Sequence, residues 1–133
     1  PGELNDEEWL EIKKHPIVGY RIAQSVPELV NIAEYILSHH ERWDGKGYPQ
    51  GLKGENIPLL ARIIAVADAY DAMVQERPYQ KAVSHLKACE ELTKNAGTQF
   101  DPRVVQAFLD FYLVKPGCQV EHHLSSAMEL STN

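Results

Sequence analysis

The chain has 133 residues, 44% of them hydrophobic, which suits one domain with a modest core. Its 13 basic and 19 acidic side chains leave a formal charge of −6, which argues against a broad surface for long nucleic acid and leaves room for a small basic pocket. No run approaches the ~18 apolar residues of a membrane helix, nothing resembles a signal peptide, and two cysteines (Cys89 and Cys118) cannot staple a secreted fold, so thiols in a reducing cytoplasm are expected.

The pattern is helical along most of the length. Asn5 followed by Asp6, Glu7 and Glu8 is a helix start, with Glu8 placed to close a capping box. Trp9 and Ile12 recur at helical spacing. His15-Pro16 interrupts, because proline disfavours the helical conformation of the residue before it. A short second helix carries Ile17, Tyr20, Ile22 and Ala23. Pro27 suits a first helical turn, and Leu29, Ile32, Ala33, Ile36 and Leu37 then form an apolar stripe running into Ser38-His39-His40-Glu41.

Positions 42–54 are too rich in glycine for a stable helix and predict a long loop, of the kind that is usually functional in a compact domain. Pro58 restarts the helix, and the nearly continuous apolar run 59–73 reads as the buried central helix. A second loop, 75–83, carries Arg77, Pro78, Tyr79 and Lys81. Ser84 caps a helix that Gly97 ends, and Asp101-Pro102 starts the last one. Residues 115–133 have weak periodicity and read as a mobile tail or a partner-dependent helix. No convincing strand alternation occurs, so the fold class is all-α: one irregular bundle with two functional loops.

His15, His39, His40 and Asp68 are the candidate metal ligands, a mixed imidazole and carboxylate set that suits first-row transition metals or zinc. Alone, His15 beside a proline reads as a turn residue. Adjacent helical histidines point about 100° apart, so His39 and His40 are expected to serve two ions, or one ion and one phosphate. Asp68 sits in an otherwise apolar run, and a buried carboxylate is costly unless paired or metal-bound. Asp71 is expected to support that site, or to pair with Arg62 or a loop donor. The glycine loop offers Lys46, Lys53, Trp43, Tyr48 and the backbone of Gly45 and Gly47, the two glycines permitting backbone angles closed to other residues. Arg77 and Lys81 suit contacts to phosphate. Each taken singly also reads as an ordinary solvated surface residue.

Together, the run from His39-His40-Glu41-Arg42 through Trp43-Asp44-Gly45-Lys46-Gly47-Tyr48-Pro49 closely resembles the signature of bacterial HD-GYP domains. Gly51-Leu52-Lys53-Gly54, Ile57-Pro58, Ala61-Arg62-Ile63 and Val66-Ala67-Asp68-Ala69-Tyr70-Asp71 fit its continuation. Arg77-Pro78-Tyr79, Phe100-Asp101-Pro102, and upstream Pro1-Gly2-Glu3-Leu4 and Lys14-His15-Pro16 follow in the family's order. The resemblance implies an all-α, metal-dependent phosphodiesterase acting on cyclic di-GMP with two or three divalent ions, iron or manganese. It implies metal ligation by His15, His39, His40 and Asp68. It implies contact with the dinucleotide by Tyr48 and Arg77, with Gly47, Lys46 and Lys81 beside them and Asp71 behind the ligands. Gln80-Lys81 stands where the family commonly has two basic residues.

No His-Asp dipeptide occurs in the chain, whereas the family carries one, followed by a lysine, shortly before the segment matching Pro1-Gly2. Residues 1–114 are therefore expected to be an HD-GYP domain lacking its HD helices, with 115–133 as a tail. No catalytic residue is assigned within it, and the isolated chain is expected to be inactive and to hold one metal ion or none. A sensor or receiver domain is expected upstream, in a cytoplasmic protein. Apolar faces exposed by the missing helices should drive dimerisation or rearrangement. The alternative reading is a non-catalytic module that binds a cyclic dinucleotide or a protein.

Overall fold

In the computed structural model, residues 5–78 and 80–114 are described. The expectations placed on residues 1–4, on Tyr79 and on the tail 115–133 lie outside them. Six α-helices and two short 3-10 turns form the described chain, with no strand among them.

Helix α1 (Asp6–Ile12) starts where the sequence says it should. The Asn5 side chain accepts from the Glu8 amide at 2.9 Å, and the Glu8 carboxylate accepts from the Asn5 amide at 2.8 Å. This reciprocal pair satisfies two amides that a helix start leaves open. The apolar spacing in α1 does not translate into a core: no residue of α1 is buried, and Trp9 is 46% exposed.

Helix α2 (His15–Ser25) begins at His15, with Pro16 in its first turn. Proline is tolerated there because first-turn amides have no intrahelical acceptor. The single helix expected after Pro27 is instead two pieces. Residues Pro27–Ile32 form a 3-10 turn, and only Ala33–Ser38 is α-helical (α3). Helices α2 and α3 pack closely at Gly19, where a Cβ would come within 2.8 Å of Ile36 Cγ2.

Helix α4 (Leu59–Val74) packs on α5 (His85–Lys94) and α6 (Pro102–Val114). Val66, Leu92, Phe100 and Val105 form the core between them, with Tyr70, Met73 and Phe108 against it. Ser84 caps α5 through a 3.2 Å bond from the Lys87 amide. Gly97, at φ +85°, turns the chain after α5.

Helix α4 is not buried all round, which corrects the sequence expectation. Only Ala61 and Val66 are buried in it, while Leu59, Leu60 and Ile63 are 57%, 42% and 44% exposed. The side facing α5 and α6 recurs at Val66, Ala69, Tyr70 and Met73. Asp68 lies two positions from Val66, about 200° round the helix, and is exposed. The buried carboxylates are Glu41 and Asp101, at 4% and 2% exposure. Among the described residues no helix is long and apolar enough to cross a membrane.

Candidate metal centre and adjoining cleft

Three of the four expected ligands converge. His15, His39 and His40 each place a ring nitrogen within 4.8 Å of the others. The junction between α1 and α2 supplies His15, and the end of α3 supplies the other two. His39 is the C-terminal cap of α3 and His40 lies beyond it. The 100° separation of helical neighbours therefore does not apply, and their ring centroids approach to 4.0 Å. The expectation that they serve separate ions loses its geometric basis.

Hydrogen bonds fix two of the rings. His15 Nδ1 lies 2.6 Å from the Ile12 carbonyl oxygen, and His39 Nδ1 lies 2.7 Å from that of Ile36. A carbonyl only accepts, so each Nδ1 carries the proton and each neutral ring keeps its Nε2 lone pair. His15 Nε2 faces His40 Nε2 at 2.9 Å, with the His40 N–H donating. Burial, then the neighbouring His39 and His15, lower the His40 pKa from 6.5 to about 4, so at neutral pH His40 is an uncharged imidazole.

The donor set fits a divalent transition metal. Nitrogens each about 2.1 Å from one ion lie about 3 Å apart at a right angle, close to the His15–His40 separation. Backbone carbonyls holding the far nitrogens are the usual way ligand imidazoles are oriented. Asp68 is not part of the three-histidine group, but it lines a shallow pocket with His39, Tyr35, Ile36 and Ile64.

The histidine cluster opens on a cleft of about 780 Å³. His40, Lys46, Gly47 and Tyr48 line one side of it, and Trp9 and Lys13 of α1 the other. The Tyr48 ring stacks on His40, with centroids 5.0 Å apart and planes 19° apart. Lys13 Nζ lies 5.9 Å from the Tyr48 ring centroid. Partial burial raises the Tyr48 pKa and keeps its hydroxyl protonated.

The glycine loop that carries Tyr48 is built around Glu41. Its buried carboxylate accepts from the Gln50 amide at 2.7 Å and the Leu52 amide at 2.9 Å. Arg42 grips Asp44 through two bonds of 3.1 and 2.8 Å, and Asp44 also accepts from the Lys46 amide at 3.0 Å. The bond from Arg42 lowers the Asp44 pKa to about 2, with the Lys46 amide acting in the same direction. Behind the loop, the Trp43 and Asp44 amides donate to the Gln99 and Thr98 carbonyls at 3.1 and 2.8 Å. The buried Arg62–Asp101 pair, 2.6 Å apart, sits below, with the guanidinium 5.8 Å from the Trp43 ring.

Gly45 has φ +83°, as the sequence suggests, but Gly47 is required for a different reason. A Cβ there would come within 2.4 Å of the Arg42 nitrogen and 2.6 Å of the His40 oxygen.

The other expected residues stand elsewhere. Arg77 and Lys81 are exposed on the second loop, and neither lines the cleft. That loop is held by paired amide–carbonyl bonds of 2.9 and 3.0 Å between Arg77 and Gln80. Asp71 is exposed and accepts from the Gln75 side chain at 2.6 Å, while Arg62 bonds Asp101 instead. The sequence reading missed Lys13, Trp9 and Arg42 as cleft residues, and Glu41 as the loop's organiser. Trp9 and Lys13, four positions apart on α1, were a legible signal for a shared face. Nothing in the sequence marked Glu41.

The HD-domain family profile matches residues 1–104. The chain belongs to the HD-domain family. Among its curated relatives is a cyclic di-GMP phosphodiesterase of Vibrio cholerae, 45% identical over 117 residues, which cover 82% of this chain and 24% of that protein. The cyclic di-GMP phosphodiesterase response regulator RpfG of Xanthomonas campestris is 46% identical over 82% of this chain and 29% of its own length. Among solved structures, a cyclic GMP-AMP specific phosphodiesterase of V. cholerae superposes with a TM-score of 0.64 at 25% identity, covering 84% of this chain and 26% of that one. The chain thus spans about a quarter of the length of these relatives. The all-α fold and the HD-GYP resemblance read from the sequence are borne out. The HD family is metal-dependent, and the histidine cluster is this chain's candidate centre.

Proposed function

We propose that residues 1–114 form the C-terminal, metal- and nucleotide-binding part of a bacterial metal-dependent phosphodiesterase that hydrolyses cyclic di-GMP, with 115–133 as a tail. The observation that carries this reading is the convergence of His15, His39 and His40 at the head of a cleft holding Tyr48 and cationic side chains. Relatives named as phosphodiesterases of cyclic dinucleotides support the substrate class.

In this reading the Nε2 atoms of the three histidines hold the metal, with Asp68 as a further ligand from α4 and Asp71 supporting it one turn on. Iron or manganese, as two or three ions in the complete domain, would supply hydroxide at neutral pH and polarise a phosphodiester. The Ile12 and Ile36 carbonyls hold His15 and His39 with their lone pairs inward. Tyr48 offers its ring to a guanine base. Gly47 lets the loop backbone lie close, and Lys46 meets phosphate. Arg77 and Lys81 approach from the second loop, with Gln80 leaving that side one cation weaker.

The chain has no His-Asp dipeptide, so the isolated 133 residues bind a single catalytic metal ion or none, and do not turn over. A region before Pro1 supplies the His-Asp pair and a lysine. A receiver or sensor domain regulates it, in keeping with the response-regulator name of one relative. The protein is cytoplasmic, and exposed apolar residues such as Ile22, Leu59 and Phe111 are covered by that region or by a second copy.

The test is anaerobic hydrolysis of cyclic di-GMP, with manganese or iron, by the protein extending upstream of Pro1. Turnover that Asp68→Ala abolishes is the expected result. Binding without turnover would favour a non-catalytic module, and absence of both would contradict the reading. For the chain alone, two bound manganese ions would contradict an incomplete centre.

A further inference from the structure

The chain's remaining histidines and both its cysteines fall into two groups with one spacing. His85 and Cys89 stand four positions apart, and so do Cys118 and His122, with His123 next to it. Positions four apart face the same way on a helix, the common arrangement for two ligands on one ion.

The first pair is on α5 and already close. Cys89 Sγ lies 3.6 Å from His85 Nε2 and 3.9 Å from its Nδ1. One sulfur at about 2.3 Å and one imidazole nitrogen at about 2.0–2.1 Å from a tetrahedral zinc are about 3.6 Å apart. The other ring nitrogen, Nδ1, is 2.9 Å from the Tyr70 hydroxyl. With the Nδ1 proton donated to that oxygen, Nε2 keeps its lone pair, as in oriented metal-ligating histidines. Tyr112 packs on the same imidazole, with centroids 4.7 Å apart. Tyr112 is on the last turns of α6, and the chain from it to Cys118 reaches up to ~20 Å. Cys118 therefore lies within reach of Cys89.

The geometry points to a second metal site, of the Cys2His2 zinc class, made by His85 and Cys89 and completed by Cys118 and His122. Binding releases the two thiol protons to solvent, and the two thiolates neutralise the charge of the ion. The site ties the segment after α6 to α5. It is separate from the imidazole cluster: neither His85 nor Cys89 lines the Tyr48 cleft.

Cobalt(II) added to the reduced full chain tests this. A sulfur-to-cobalt charge-transfer absorption needs thiolate, so the His15–His39–His40 cluster cannot produce it. One equivalent of cobalt should give the band, and one equivalent of zinc should remove it. Cys89→Ser and Cys118→Ser should each abolish it, and joint replacement of His122 and His123 by alanine should shift it. Tyr70→Phe should weaken binding about tenfold or more. Cys118→Ser leaves every described helix residue in place, so its effect is not one of misfolding. No band in the reduced chain, or a band that survives Cys118→Ser, overturns the proposal. So does a Cys89–Cys118 disulfide in the oxidised chain with no band after reduction.

Discussion

The two loops that looked alike in the sequence are built differently. The loop at 42–54 wraps a buried carboxylate, carries a two-bond Arg42–Asp44 pair and is tied to the Gln99 and Thr98 carbonyls. The loop at 75–83 has backbone bonds between Arg77 and Gln80 and from the Val83 amide to the Met73 carbonyl, while Arg77 and Lys81 reach into solvent. Cations and turn residues in a sequence thus do not make a site. The first loop presents Tyr48 to His40 because buried polar groups hold its backbone, whereas the second waits for a ligand to order its side chains.

Perturbing the support of the first loop should have the largest effect. Asp101→Asn breaks the buried pair with Arg62 and is expected to cost about 3–5 kcal/mol in denaturant unfolding. Burial raises the Asp101 pKa, but Arg62 and Arg103 together hold it below its ordinary value, so acid should weaken the same contact. Glu41→Ala strands the Gln50 and Leu52 amides and should cost about 2–4 kcal/mol. Gly47→Ala forces the backbone away from positions 40–42, at about 1–3 kcal/mol, and should disturb the Tyr48–His40 stack.

Acid should act on the cluster in the same direction. His40 has its pKa lowered from 6.5 to about 4, so the unfolded chain takes that proton first as pH falls. Stability should decline between about pH 6.5 and 4 and lose nothing further from this group below that. His40→Gln should flatten that part of the profile. At the other extreme, Arg77→Ala should change stability by less than about 0.5 kcal/mol, because the side chain is exposed and its loop bonds are backbone. A loss of several kcal/mol in Arg77→Ala would erase the contrast between the loops.

Much of this was legible in the sequence where local chemistry decides. Asn5, Pro58, Ser84, Gly97 and Asp101-Pro102 mark element ends because capping and proline geometry act within a few residues. The histidine set was legible because its residue types and order are distinctive. Burial was not. Asp68 sits among apolar neighbours along the chain, yet the face of α4 that meets α5 and α6 is the one through Val66 and Met73. Glu41 is the reverse, a charged residue in a polar stretch whose burial depends on the loop folding back over it. The split of 27–38 into a 3-10 turn and a short α-helix was likewise invisible, since one apolar stripe fits both.

The account stands most directly on the role of the His15–His39–His40 cluster. The deciding measurement is metal-dependent hydrolysis of cyclic di-GMP by the protein with its region upstream of Pro1, comparing the wild type with His40→Ala. Turnover in the wild type that falls at least about a hundredfold in His40→Ala, with the fold retained by circular dichroism, is the predicted result. Equal turnover in both would contradict it.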